Sequence, residues 1–266
     1  MAEYKQYNLM KQFEDVLIIS DFDGTFAGKD GRIVPENCEA IKRFIGNGGH
    51  FTFASGRGPR KMKELFPEFV TLVNAPMIMV NGEMLYDPIN DNIICEDPIE
   101  AKTASAVATD VLNRFPSLTV LITDGEEFTS DHPPKENENG QWRMMTPFGD
   151  ADTISRCDKY VTSTYGSDYT IRRPSPYLID MTGLGVNKGS RIPFIREYFA
   201  NKGIKDLKIY CVGDYGNDID MLLKADIAFC PSNAIDEVKN VCRPPLCDHN
   251  EGAIADLINK IENNKI

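Results

Sequence analysis

One short stretch constrains this chain more than any other: Val16-Leu17-Ile18-Ile19-Ser20-Asp21-Phe22-Asp23-Gly24-Thr25. An apolar, β-branched run ends abruptly in two carboxylates one residue apart, followed by Gly and Thr. A run of this kind predicts a buried strand. In an open α/β sheet, ligands bind just outside the carboxyl ends of the strands. Asp21 and Asp23 are thereby placed where chemistry is done. Two neighbouring carboxylates repel each other, so a positive group is expected beside them, and a hard divalent cation is the natural candidate.

The rest of the composition narrows the field. With 266 residues the chain has room for one large domain or two modest ones. A formal net charge of -11 argues against general nucleic-acid binding and against anionic membrane surfaces. It leaves room for a small phosphorylated ligand at a locally positive site. No apolar stretch reaches transmembrane length. The opening Met1-Ala2-Glu3-Tyr4-Lys5 lacks the basic-then-apolar layout of a secretory signal, so a cytoplasmic location is expected. Seven scattered cysteines, with no C-x-x-C pair, read as small buried hydrophobes in a reducing compartment. The three histidines have no ligand spacing.

Along the first third, strand and helix alternate. Residues 35–49 predict a helix, because Ala40, Ile41, Phe44 and Ile45 form one apolar face. Residues 50–54 predict a strand that stops at Ser55-Gly56-Arg57. A short helix over 59–66 and a strand over 77–80, closed by Asn81-Gly82, follow. Strand-helix-strand order implies parallel pairing. From Glu83 to Leu184 the texture changes. Residues 84–86 and 92–95 read as a hairpin, 98–114 as a helix and 118–122 as a strand. A polar, turn-rich stretch over 124–149 holds the only tryptophan, Trp142. A helix over 150–160 and strands over 169–172 and 177–181 complete this part. Alternation then returns, with helices over 189–200, 217–224 and 251–262 and strands over 207–212 and 227–229. The expected architecture is a discontinuous, Rossmann-like α/β core at 1–82 and 185–266, with an inserted α+β domain at 83–184.

Four polar signatures fall at predicted strand ends or helix starts: Asp21 to Thr25, Ser55-Gly56-Arg57, Asn187-Lys188-Gly189, and Gly213-Asp214-Tyr215-Gly216-Asn217-Asp218. Each alone has a plain structural explanation as turn chemistry, a helix entry or an N-cap. Together they supply acids for a cation, a hydroxyl, a lysine and glycine-rich turns. That inventory suits phosphoryl transfer. Mg²⁺ prefers carboxylate oxygens, lysine offsets phosphate charge, and turn N–H groups cradle phosphate oxygens. A carboxylate can also serve as the nucleophile.

Read in order, these signatures resemble the haloacid dehalogenase superfamily, specifically Cof-type phosphatases with a type IIB cap. The resemblance covers essentially the whole chain, including the place of the insert. It implies a Mg²⁺-dependent phosphatase that works through an aspartyl-phosphate. Asp21 would be the nucleophile, and Asp23 the acid that protonates the leaving group and later activates water. Ser55 would hold the phosphate and Lys188 would offset its charge. Asp214 would be the principal further metal ligand, beside Asp21 and the Asp23 carbonyl, with Asn217 and Asp218 supporting phosphate, lysine or metal. The backbone around Phe22, Gly24, Thr25 and Gly56 would line the phosphate.

An acid that must be protonated when the alkoxide departs needs a raised pKa, or a partner that holds its proton; this is the expectation for Asp23. Arg57 is a candidate phosphate contact, with a surface ion pair as the plain alternative. Asn81 is expected to touch substrate, with a plain role in the turn into the insert as the alternative. Arg172 and Arg173 in the insert are candidates for a substrate's distal acidic group, as is Lys135, for which a solvated face is the favoured alternative. Trp142 to Met145 is either a substrate-facing loop or ordinary insert core.

Rival readings are a phosphomutase, which needs a strongly basic insert, and a non-catalytic binder of a phosphometabolite. Against the first, the insert carries Asp124, Glu126, Glu127, Asp131, Glu136 and Glu138. Against the second, a binder has no use for the nucleophile. The expected partner is a small phosphorylated metabolite; the sequence leaves the oligomeric state open.

Overall fold

The computed structural model describes residues 12–123, 127–135 and 140–266. Met1 to Lys5, Asp124, Glu126, Glu136 and Glu138, all invoked above, lie outside them. The first five strands are β1 (Val16–Ser20), β2 (His50–Phe53), β3 (Met77–Met79), β4 (Met84–Asp87) and β5 (Asn92–Glu96). There follow β6 (Ile99–Glu100), β7 (Thr119–Ile122), β8 (Glu127–Phe128), β9 (Gln141–Trp142), β10 (Met145–Phe148), β11 (Tyr169–Ser175) and β12 (Leu178–Gly183). The last two are β13 (Lys208–Val212) and β14 (Ile227–Phe229).

β1 sits inside a parallel sheet of order β14-β13-β1-β2. Its side chains alternate between two cores. Val16 and Ile18 enter one core together with residues of the helices Pro35–Gly46 and Ala253–Glu262. Leu17 and Ile19 enter the other, beside the helix Ile192–Asn201. A strand covered on both faces has no polar side, which is why β1 reads as an unbroken apolar run. The closing helix buries Ile254, Leu257, Ile258 and Ile261, a stripe at helical spacing.

Register sets the site. Ser20 pairs with Val212 on one side and with Phe53 on the other. Asp21, Ala54 and Gly213 therefore leave the sheet side by side. β3 continues this edge, since Ala54 bridges Ile78 and the Ser55 N–H donates to the Ile78 carbonyl at 2.8 Å. β4 and β5 then extend the sheet antiparallel. That hairpin, expected within the insert, packs Leu85 among the aliphatics around Leu17 and Ile19. Alternating residues and a tight turn announce a hairpin but not the sheet it joins.

The second layer is an antiparallel sheet of order β11-β12-β10-β7-β8, with the ribbon β6-β9 beside it. Helices Ala101–Arg114 and Ala151–Tyr165 share one apolar cluster with Val120, Met145, Ile179 and Met181. Asp150 caps the second helix by accepting from the Thr153 N–H at 2.9 Å. Intervening residues, Leu121, Thr146, Leu178 and Asp180, point the other way and line a cavity facing the parallel sheet. Trp142 is buried and stacked on Phe128, so it belongs to the core of this layer.

The connections between the layers run through one corner. Arg191 is buried there and donates to the carbonyls of Gly82 at 2.5 Å and Glu83 at 2.6 Å, and pairs with Asp97 at 2.6 Å. Arg143 of the second layer reaches back to Glu83 and Glu96. All seven cysteines are free thiols, buried or half-buried. No helix among the described residues is long and apolar enough to cross a membrane.

Candidate active site

Every one of the four signatures arrives at the same sheet edge. Lys188 opens the turn after the second layer and is fully buried. Its ammonium donates to Asp21 Oδ1 at 2.6 Å and to Asp218 Oδ1 at 2.7 Å. Burial works against this cation, but the two carboxylates outweigh it and hold its pKa above the ordinary lysine range. The other oxygen of Asp218 accepts the N–H groups of Asp214 and Tyr215, at 3.0 Å and 3.1 Å. Asp218 thus fastens the turn of the fourth signature to the lysine. Gly213 leaves it room: a Cβ there would lie 2.5 Å from the Asp218 side chain.

Asp214 receives the Thr25 hydroxyl at 2.9 Å. Gly24 has φ +81, and a Cβ on it would meet Asp214 Oδ2 at 2.6 Å. Glycine is required here both for the turn and for the close approach of the second acid. Ligand atoms of Asp21, Asp214 and Asp218 lie within 4.8 Å of one another. Burial, then neighbouring acids, push Asp214 up to about 7. Burial also raises Asp21 well above the carboxylate range, with Lys188 opposing and the other acids adding to it. The donors are all hard oxygens and the charge surplus is negative, so the cluster fits a hard divalent cation.

Asp23 takes Arg57 as its partner. Its side chain is half exposed, and both oxygens take the Arg57 fork, at 2.7 Å and 2.8 Å. Arg57 accordingly meets Asp23, while remaining on the cavity wall. Phe22 turns its ring into the core against Phe26 and Phe53, leaving only its backbone at the edge. Ser55 is buried, and its hydroxyl accepts the Arg57 N–H at 3.1 Å.

Asn81 is held away from the cavity. Its amide N–H donates to Asp180 Oδ2 at 2.6 Å, and its carbonyl accepts from Asn217 Nδ2 at 3.1 Å. Arg172 pairs with Asp220 at 2.7 Å, and Arg173 donates to the Pro176 carbonyl at 2.9 Å. Neither lines the cavity; Lys135 is exposed. The cavity measures about 620 Å³, and Asp21, Asp23, Asp214 and Asn217 line it on the side of the parallel sheet. Met144, Thr146 and Asp180 form part of its opposite wall. The sequence reading passed over Asp180 as a site residue. Its one signal was a lone carboxylate inside the apolar run Tyr177 to Met181.

Known proteins resemble this chain over most of its length. A 5-amino-6-(5-phospho-D-ribitylamino)uracil phosphatase of Bacillus subtilis is 24% identical over 284 residues, covering 92% of this chain and 97% of the relative. A phosphoglycolate phosphatase of Thermoplasma volcanium is 25% identical over 228 residues, covering 84% and 88%. A solved subclass IIB sugar phosphatase of the same superfamily superposes with a TM-score of 0.74 at 20% identity, covering 94% of this chain and 99% of that one. The family profile of the haloacid dehalogenase-like hydrolases matches residues 18–145 and 128–258, and on that match this chain belongs to the haloacid dehalogenase-like hydrolases.

Proposed function

We propose that this protein is a Mg²⁺-dependent phosphatase of a small phosphomonoester, working through a phosphoenzyme on Asp21. One observation carries the reading. A buried Asp21, tied by Lys188 to Asp218 and joined by Asp214, lines the parallel-sheet side of a substrate-sized cavity. Four carboxylates gather there, Asp21, Asp23, Asp214 and Asp218, and among the described residues the cations in direct ion pairs with them are Lys188 and Arg57. A phosphate brings still more negative charge.

The divalent cation, with Asp21 and Asp214 as side-chain ligands, the Asp23 carbonyl beside them and Asp218 behind, would offset that charge between phosphate and nucleophile. A carboxylate oxygen of Asp21 attacks phosphorus, the P–O bond to the leaving group breaks, and Asp23 gives its proton to the departing alkoxide. Water then attacks the acyl phosphate, Asp23 takes its proton, and phosphate leaves with Asp21 restored. The Arg57 fork fixes the orientation of Asp23, and transfer of Arg57 to the incoming phosphate would free Asp23 to face the leaving group. Lys188 holds the nucleophile's orientation throughout. The activities of the relatives, on a phosphorylated ribityl compound, phosphoglycolate and a sugar phosphate, support a small hydroxylated or carboxylated leaving group.

The test is a panel of phosphomonoesters scored for inorganic phosphate with Mg²⁺ and with chelator. Metal-dependent release of phosphate and the free alcohol is expected. An isomeric phosphate product would indicate a mutase. Ligand binding without turnover would indicate a binder, and either result overturns the proposal.

The glycine beside the second acid gives a sharper test of the metal site. Gly24→Ala places a methyl 2.6 Å from Asp214 Oδ2 and forces that carboxylate to move. The Mg²⁺ concentration for half-maximal rate is expected to rise by about tenfold or more. An unchanged metal requirement would remove Asp214 from the ligand set.

A further inference from the structure

Asp180 is a carboxylate on β12, 5% exposed, with no ion pair among the described residues. A buried acid without a cation must be held by hydrogen-bond donors. Asp180 has two, on opposite sides. The Thr146 hydroxyl, from its own layer, donates to Oδ1 at 2.8 Å. The Asn81 amide, from the parallel sheet, donates to Oδ2 at 2.6 Å. The Asn81 carbonyl then accepts from Asn217 Nδ2 at 3.1 Å. Asn217 adjoins Asp218, whose carboxylate takes the Lys188 ammonium. A continuous polar chain therefore runs from the second layer, across the cavity's edge, into the turn beside the nucleophile.

The backbone at Asn81 is arranged for this link. Val80 and Asn81 both have φ +51, and Gly82 has φ +93. A β-branched residue at positive φ is strained, and strain of this kind persists where surrounding contacts impose it. The Asn81 N–H donates to the Ser55 carbonyl at 3.0 Å, so the same turn also touches the second signature. A Cβ on Gly56 would come within 3.3 Å of Asn81 Nδ2, so the amide is packed from that side as well. Arg172 and Arg143 of the second layer also bridge to the parallel sheet by ion pairs, Arg172 with Asp220 and Arg143 with Glu83 and Glu96. Neither enters the turn through the side chain of Asn217.

We propose that Asp180 is a positioning residue: through Asn81 it sets Asn217 in the phosphate site only when the second layer is seated. The inference rests on the phosphatase reading. It makes the hydrogen bond, and not the charge, the active property. It also makes the effect independent of the leaving group, because the chain ends at the phosphate.

Wild type, Asp180→Ala, Asp180→Asn, Asn81→Ala and the Asp180→Ala/Asn81→Ala double variant are compared on p-nitrophenyl phosphate and on the best ester of the panel. Inhibition by inorganic phosphate is measured for each, and melting curves report folding. Asp180→Ala is expected to lower kcat about 10–100-fold on both substrates and to weaken phosphate inhibition. Asn81→Ala matches it, and the double variant is no worse than the weaker single within about twofold. Asp180→Asn keeps both bonds, its carbonyl accepting from Asn81 and its amide donating to the Thr146 hydroxyl. It retains activity within about threefold of wild type.

Three outcomes overturn the inference: Asp180→Ala equal to wild type, additive single effects, or a loss confined to the KM of the larger ester. The last would make Asp180 a substrate contact. If Asp180→Ala does not fold, the Asn81→Ala and Asp180→Asn pair decides, since an unaffected Asn81→Ala or an inactive Asp180→Asn is equally fatal. A wild-type protein that releases no phosphate from any ester sinks the phosphatase reading itself. An active wild type with an equally active Asp180→Ala sinks this inference alone.

Discussion

Asp21→Asn is expected to lower phosphate release by roughly three orders of magnitude or more, with the fold intact. An amide oxygen has the shape of the carboxylate but not its nucleophilicity, so no acyl phosphate forms. The fold should hold for a separate reason. Burial and neighbouring acids make the ionised Asp21 unfavourable, and removing its charge relieves that. Lys188 loses one partner but keeps Asp218 at 2.7 Å. The two effects oppose, so the thermal midpoint is expected within about 3 °C of wild type. Steady-state kinetics and a melting curve check both halves. A variant that keeps more than about a tenth of the wild-type rate would show that Asp21 is not the nucleophile.

Lys188→Ala has the largest expected effect on stability. The side chain is wholly buried between two carboxylates, and its removal strands both. Breaking one side of a buried ionic cluster costs about 3–5 kcal/mol, or roughly 6–20 °C in thermal midpoint for a chain of this size. Activity should fall by about 10²-fold or more, because Asp21, the proposed nucleophile, loses its anchor. The loss of stability is expected in chelator and should narrow on adding Mg²⁺, which replaces part of the missing charge. Lys188→Met combined with Asp218→Asn should recover much of the midpoint and none of the activity. Melting of the single variant within about 1 kcal/mol of wild type in chelator would mean that the triad is not a coupled unit.

The residues that converge on the edge of the parallel sheet were legible because they terminate strands. An apolar run that stops at Asp21, Ser55 or Gly213 marks both an element and the edge where it ends, and register does the rest. Side-chain partners across the site were not legible. Whether Arg57 meets a phosphate or Asp23 depends on distances between separate strand ends. The fate of Asn81 depends on Asp180, 99 residues away in sequence. Arg172 carries no local sign that its partner is Asp220.

Within the second layer, β10 was hidden by Pro147, which offers no N–H and argues against a strand. It pairs with β7 and β12 nonetheless, through Met145 and Phe148 to β12 and through all four residues to β7. The hairpin β4–β5 was found but assigned to the wrong neighbour, since nothing local to Leu85 names the sheet that buries it.

The corner held by Arg191 has a consequence for how such a molecule can change. The polypeptide departs near Asp97 and comes back at Arg191, and a single guanidinium grips both passages. To the parallel sheet, everything between them is a loop with fixed ends. Sequence lying between those ends can lengthen, shrink or be replaced by recombination while the phosphate end stays put, provided the incoming segment presents an acceptor to Asn81. On the proposed phosphatase reading, new leaving-group preferences would then arise by exchange of one contiguous piece of gene, without rebuilding the chemistry.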